Sequence, residues 1–157
     1  MANNAKLYRG EQVIVRSMTL NERAVWEKLW NDYLSFYETE LSDEVKNVTW
    51  ARLHDPNEPM YLLAACLGGH VVGIVHYLFH RSCWTLGNYC YLQDLFVDPQ
   101  ARGLGVGATL IKTVESAARA AGASRIYWLT KEDNRTARAL YDKLAERSGF
   151  IQYRKLF

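Results

Sequence analysis

The run Val97-Asp98-Pro99-Gln100-Ala101-Arg102-Gly103-Leu104-Gly105-Val106-Gly107 joins a strand to a helix, and it decides the fold. Before it, Tyr89 to Val97 reads as a strand that stops at Asp98-Pro99, where proline removes a ladder donor. After it, Leu110, Ile111, Val114, Ala117, Ala118 and Ala121 share one helical face, and Gly122 is a natural stop. The first turn of a helix has unpaired N–H groups and the positive end of the dipole, so it attracts phosphate. Glycines let the backbone approach oxygens that a Cβ would hold away. Arg102 adds a charge-assisted contact. Strand, turn and helix together favour a phosphate site over a turn whose glycines serve local geometry alone.

The kind of phosphate ligand can be narrowed by exclusion. No Lys-Ser/Thr pair follows the glycines, so this is not a P-loop. Gly103, Gly105 and Ala108 satisfy the dinucleotide pattern G-x-G-x-x-A, but Asp98 to Arg102 separate the strand from the first glycine. The chain that follows is also too short for a doubly wound nucleotide domain.

Working outward, Val13 to Arg16 reads as a first strand, and Thr19 with Glu22 forms a capping-box signature. Val25, Trp26, Leu29, Trp30, Tyr33, Leu34, Phe36 and Tyr37 then recur mostly at helical spacing, giving an unusually aromatic stripe. A second helix is expected over Asp43 to Leu53, and strands over Met60 to Leu67 and Val71 to His80, turned by Gly68-Gly69-His70. Beyond the glycine-rich turn and its helix come a strand over Arg125 to Thr130, a helix over Asn134 to Glu146 and a last strand over Phe150 to Leu156. The order βααβββαβαβ predicts an α/β fold, a mixed central sheet with helices on both faces.

Composition bounds the function classes. The 157 residues suit one domain spanning 1–157, with 49% hydrophobic and 23% charged residues, which is globular composition. A net charge of +2 gives no basic surface for nucleic acid or an anionic membrane, so neither partner is expected. Cys66, Cys83 and Cys90 are odd in number and unclustered, which predicts no disulfide framework, no metal site and a reduced, cytoplasmic setting. The start, Met1 to Gly10, lacks an apolar core of signal-peptide length, and no run is long enough to span a bilayer. Aromatic residues, at 13%, are the one excess, and they suit a pocket or interface as well as a core.

Taken with its neighbours, the opening run resembles the Arg-x-x-Gly-x-Gly acyl-CoA signature of the GNAT N-acetyltransferase superfamily, and Asn134-x-x-Ala137-x-x-Leu140-Tyr141 followed by Gly149-Phe150 resembles its second signature. Both stand in the family's order, and the element order covers nearly the whole chain. Trp84 to Gly87 with Tyr91 to Val97 is similar to spermidine/spermine and diamine acetyltransferases. The aromatic first helix, His54-Asp55-Pro56 and Ile126-Tyr127-Trp128 are more similar still to small yeast-type histone and polyamine acetyltransferases.

The resemblance implies direct transfer of acetyl from acetyl-CoA to a primary amine: a polyamine, an amino acid or other small amine, or a basic peptide. It implies that the N–H groups of Arg102, Gly103, Leu104, Gly105, Val106 and Gly107 hold the pyrophosphate. The main chain of Leu95, Phe96 and Val97 would pair with the pantetheine arm, Asn134 would contact it, and Tyr141 would be the general acid. At Gln93, polyamine-acetylating relatives carry a Glu, and an amide cannot take a proton. Either a water chain hands the proton out through Asp94 or the amine arrives already neutral; Asp94 reads equally as an anchor for a cationic substrate or as a structural carboxylate, and these stay open. His54, His76 and His80 read first as satisfied structural residues. Glu38, Glu40, Asp43 and Glu44 read equally as an acceptor-facing acidic patch or a solvated loop. A homodimer paired through the Tyr153 to Phe157 end is expected. The rival from another class is an acyl-CoA-binding sensor that has lost turnover, and a nucleotide-binding oxidoreductase is a distant third.

Overall fold

A computed structural model describes residues 8–157 of the chain; the Met1 to Leu7 part of the start lies outside them. Strand β1 (Ile14–Ser17) leads through a 3-10 turn (Leu20–Glu22) into helices α1 (Arg23–Phe36) and α2 (Asp43–Leu53). Strands β2 (Met60–Leu67), β3 (His70–His80) and β4 (Tyr89–Val97) follow, then α3 (Val106–Ala120), β5 (Arg125–Tyr127) and α4 (Arg135–Leu144). The sheet order is β1-β2-β3-β4-β5. Pairings through β4 are antiparallel; β4 and β5 run parallel because α3 crosses between them.

Two cores sandwich the sheet. On one face Trp26, Leu29, Trp30 and Leu34 of α1 and Trp50 and Leu53 of α2 pack on Leu62, Ala64, Ile74 and Phe96. On the other, Val106, Leu110, Ile111, Val114 and Ala118 of α3 pack on Ala65, Val75, Tyr77, Cys90 and Leu92. Gly73 permits that second contact: a Cβ there would meet the Phe96 carbonyl oxygen at 3.0 Å and Val106 Cγ1 at 3.2 Å. A side chain there would force β4 or the start of α3 to shift by a few tenths of an ångström.

Three expectations are corrected. The run Phe150 to Leu156 forms no strand: all of it is exposed, and no strand among the described residues pairs with it. The strand expected to Thr130 ends at Tyr127, because β4 pairs with it only as far as Tyr91. The Thr19–Glu22 box closes a 3-10 turn ahead of α1 instead of the helix itself, with Glu22 accepting from the Thr19 N–H at 2.8 Å and from the Arg16 guanidinium at 2.7 Å.

Candidate active site

β4 builds the site because it leaves its neighbours in two ways. It pairs with β5 only over Tyr89 to Tyr91, so from Leu92 onward that edge of β4 has no strand beside it. Against β3 the register jumps from Tyr77↔Leu92 to His76↔Asp94, which leaves Gln93 as an unpaired bulge residue. The extra residue reverses the alternation. Leu92 packs into the α3-side core, whereas Asp94, two positions on, meets α1 on the other face.

The parting of β4 and β5 opens a cleft lined by Tyr33 of α1 and Tyr37 at its C-cap, Gln93 and Leu95 of β4, Trp128 beyond β5, and Tyr141 of α4. Its free volume is about 20 Å³, room for one water-sized group. Tyr141 meets Trp128 edge-on at 5.5 Å, and its hydroxyl has no hydrogen-bond partner among the described residues. Burial, with a smaller contribution from Tyr37, pushes the Tyr141 hydroxyl up to about 12. Tyr141 and Gln93, distant in sequence, thus share one cleft wall.

The glycine-rich turn lies at the same end of β4. Gly103 and Gly105 take φ of 77° and 79°, the left-handed region that a side chain disfavours, and the space where their Cβ atoms would stand is open. Gly105 caps α3 with no side chain, so the amides of Val106, Gly107 and Ala108 carry no cap from it. Arg102 departs from expectation. Its N–H turns back to the Pro99 carbonyl at 3.4 Å, and its Nε donates to the Val97 carbonyl at 3.3 Å. Its remaining guanidinium N–H groups are the ones left for a ligand, and the Val97 carbonyl is already engaged. Leu104 is half-buried against the α3-side core. Phe96 sends its ring into the opposite core, so only its backbone can serve the open edge.

Asn134 caps α4: its side-chain oxygen accepts from the Ala137 N–H at 3.4 Å, and its amide donates to Thr130 Oγ1 at 3.1 Å. Each end of its side chain thus makes one hydrogen bond, with one amide N–H left over. Asp43 and Glu44 lie in the first turn of α2, where they complement the helix dipole, which favours the structural reading of that patch.

The histidines divide. His54 bridges the Trp50 and Met18 carbonyls, and His80 lies between the Arg81 carbonyl and the Tyr127 hydroxyl; both are structural. His76 is different. It is 5% exposed, its Nδ1 lies 3.1 Å from Asp94 Oδ2, and its Nε2 accepts from Trp26 Nε1 at 2.9 Å. Tyr33, in the cleft wall, donates to Asp94 Oδ1 at 2.8 Å. Sequence reasoning did not connect His76 with Asp94; the antiparallel hairpin hinted at it, but the bulge sets the register.

Residues 23–145 match the model of the Acetyltransferase (GNAT) family. The chain belongs to that family. As a GNAT protein it is an acetyl-CoA-dependent N-acetyltransferase, an acyltransferase that modifies an amine. It is 33% identical over 147 residues to the D-amino-acid N-acetyltransferase HPA3 of Saccharomyces cerevisiae, covering 92% of this chain and 91% of that protein. Identity to the thialysine N-epsilon-acetyltransferase of Caenorhabditis elegans is 29% over 126 residues, 77% of this chain and 78% of the relative. The GNAT fold is also seen in the aminoglycoside N-acetyltransferase AAC(6')-Iy in complex with CoA, at a TM-score of 0.78 and 19% identity, covering 94% of this chain and 97% of that one. No helix among the described residues is long and apolar enough to cross a membrane.

Proposed function

We propose that the acceptor is a small amine of the amino-acid type, acetylated in the cleft between α1, β4 and α4. The observation that carries this reading is the convergence of Tyr141, Gln93 and the unpaired edge of β4 on one narrow cleft, at the end of β4 where the uncapped start of α3 lies. Two relatives named for amino-acid substrates support the acceptor class. Lys131, whose ammonium lies 5.3 Å from the Tyr37 ring centroid at the cleft, supplies a cation suited to an acceptor carboxylate.

In this reading the amides opening α3 and the free guanidinium N–H groups of Arg102 hold the pyrophosphate, with Gly103 and Gly105 allowing its approach. The open backbone of Leu95 and Phe96 takes the pantetheine arm as a strand takes its neighbour. Tyr141, kept protonated at neutral pH by burial, gives its proton to the departing sulfur. The protonated amide nitrogen left when the tetrahedral intermediate collapses is a far stronger acid than a phenol, and it refills Tyr141. Asn134 acts through the α4 cap that aims Tyr141, more than by direct contact. Gln93 orients the amine or a water by hydrogen bonding and takes no proton.

Three further readings accompany this one. Exposed Phe150, Ile151, Tyr153, Leu156 and Phe157 support a homodimer through the C-terminal run, which a monomer by light scattering at micromolar concentration would refute. Three free cysteines support a cytoplasmic location, and one sheet shared by all helices supports a single domain over 1–157. The acetyl-transfer test is thiol release from acetyl-CoA with D- and L-amino acids, thialysine, spermidine, diamines and a basic peptide side by side. Release with the amino-acid group alone is expected. Preference for polyamines would overturn the acceptor class, and acetyl-CoA binding without release on any amine would favour the sensor.

A further inference from the structure

Gln93 leaves the amine's proton without a destination, because a primary ammonium cannot attack until one N–H bond is broken. A buried polar chain begins in the cleft wall and runs into the α1-side core. Tyr33 donates to Asp94 Oδ1 at 2.8 Å, His76 Nδ1 stands 3.1 Å from Asp94 Oδ2, and Trp26 Nε1 donates to His76 Nε2 at 2.9 Å. Trp26 orders the whole chain. An indole N–H only donates, so His76 Nε2 must present its lone pair, and the proton of the neutral ring sits on Nδ1, facing Asp94. A proton on Nε2 would set two N–H groups against each other. The donors therefore read Trp26 to His76 to Asp94, with Tyr33 donating to the same carboxylate from the cleft side.

The surroundings hold this order in place. Trp26 is fully buried, and the His76 ring is met edge-on by Trp30 at 4.8 Å. Tyr33 is stacked on Trp30 at 5.0 Å and flanked by Tyr37 at 4.9 Å, so its hydroxyl has little freedom to turn from Asp94. The groups facing Asp94 are Tyr33 from α1, with Tyr37 of the helix C-cap beyond it; His76 from β3; and Tyr91 from its own strand. No lysine or arginine pairs with it among the described residues. Its side chain keeps 14% exposure, an outlet to water.

We infer that Tyr33 and Asp94 carry the acceptor's proton out of the cleft, with His76 and Trp26 as positioning residues that hold Asp94 against Tyr33. The inference rests on the acetyltransferase reading above. As one ammonium N–H bond breaks, an O–H bond forms on Tyr33, and the original Tyr33 proton moves to Asp94 Oδ1. The freed nitrogen lone pair attacks the thioester carbonyl. Asp94 then releases its proton to water, which restores the carboxylate and its hydrogen bond from Tyr33. One proton leaves per turnover, and the second amine proton serves the thiol through Tyr141. Burial and the neighbouring Asp94 charge push the Tyr33 hydroxyl far above its ordinary value, so Tyr33 passes a proton without resting as a phenolate.

The test is the pH profile of kcat/KM for the full chain and its Tyr33→Phe, His76→Leu and His76→Asn variants, using the best amine of the panel, with acetyl-CoA Kd measured in parallel. Tyr33→Phe is expected to lose on the order of 100-fold at pH 7 and to regain most of it as pH nears the amine's own pKa, where neutral amine needs no outlet. Its acetyl-CoA Kd should stay unchanged. His76→Leu should show the same alkaline recovery. His76→Asn, whose amide nitrogen sits near the Nδ1 position and can donate to Asp94, should restore part of the neutral-pH rate. A Tyr33→Phe profile lowered by one constant factor at every pH, or not lowered at all, overturns the outlet and leaves the acetyltransferase reading standing. A wild type that releases no thiol with any amine overturns both. If His76→Leu does not fold, Tyr33→Phe, which removes a single oxygen, decides alone.

Discussion

The two faces of the sheet share the same strands yet are filled differently. Beneath α3, the core is almost wholly apolar: Val75, Leu92, Val106, Leu110 and Val114 meet without a charged group among them. Beneath α1, Leu62, Ile74 and Phe96 make a similar floor, but His76 and Asp94 break it, with hydroxyl and indole partners supplied by Tyr33 and Trp26. The single bulge at Gln93 accounts for the contrast, because it turns Asp94 toward α1 where strict alternation would have turned it toward α3. One face is therefore specified by volume and the other by hydrogen-bond geometry. The acid of the proposed reaction, Tyr141, approaches from the α3 and α4 side, and the proton outlet lies on the α1 side.

Substitutions that separate the faces test this contrast. The largest effect is expected from Tyr141→Phe, which should lower kcat by about 100- to 1000-fold while leaving acetyl-CoA Kd and urea-unfolding stability close to wild type. Unchanged turnover would remove the acid assignment. Leu110→Ala, at a fully buried position of the apolar face, should cost about 2–5 kcal/mol in urea unfolding, since only volume holds that side. Trp26→Phe should cost about 1–3 kcal/mol on the other face, mostly by leaving His76 Nε2 without its donor. It should also steepen the pH dependence of kcat/KM, with part of the neutral-pH loss recovered at alkaline pH, which Leu110→Ala should not do.

Smaller effects probe the edges of each face. Gly105→Ala places a Cβ on a left-handed cap and should cost about 1–2 kcal/mol, with a weaker acetyl-CoA Kd by calorimetry. Glu22→Gln should cost under about 1 kcal/mol, because the Arg16–Glu22 pair is partly exposed. The Arg16 guanidinium and the Thr19 N–H hold the Glu22 carboxyl down at about 2, below its ordinary value of 4.5. That contribution is complete above the unfolded value and is lost as pH falls through the folded one. The Tm difference between Glu22→Gln and wild type should therefore be constant at neutral pH and shrink between 4.5 and about 2.

Legibility in the sequence followed the range of each interaction. α2 and β4 were expected at their observed ends, because proline, glycine and helical spacing act within a few residues. The Gly103–Gly105 turn was legible for the same reason: positive φ and a bare helix start are local demands. Phe150 to Leu156 was not, since a strand needs a partner edge and alternation of residues cannot say whether one exists. Arg102 read as a ligand contact, but two of its donors serve the turn itself. Asn134 read as a cofactor contact and is occupied as a helix cap.

The sequence by itself determined the family, the element order as far as α4 and the glycine turn that opens α3, because each is written in residues close enough to constrain one another directly. Tertiary structure alone decided that Tyr33, His76 and Asp94 form one chain, since they come from three separate elements. A one-residue bulge then chose which face the carboxylate would enter. No local pattern encodes that choice. It is made by the register of β4 on β3, and with it the route by which a proton can leave the cleft.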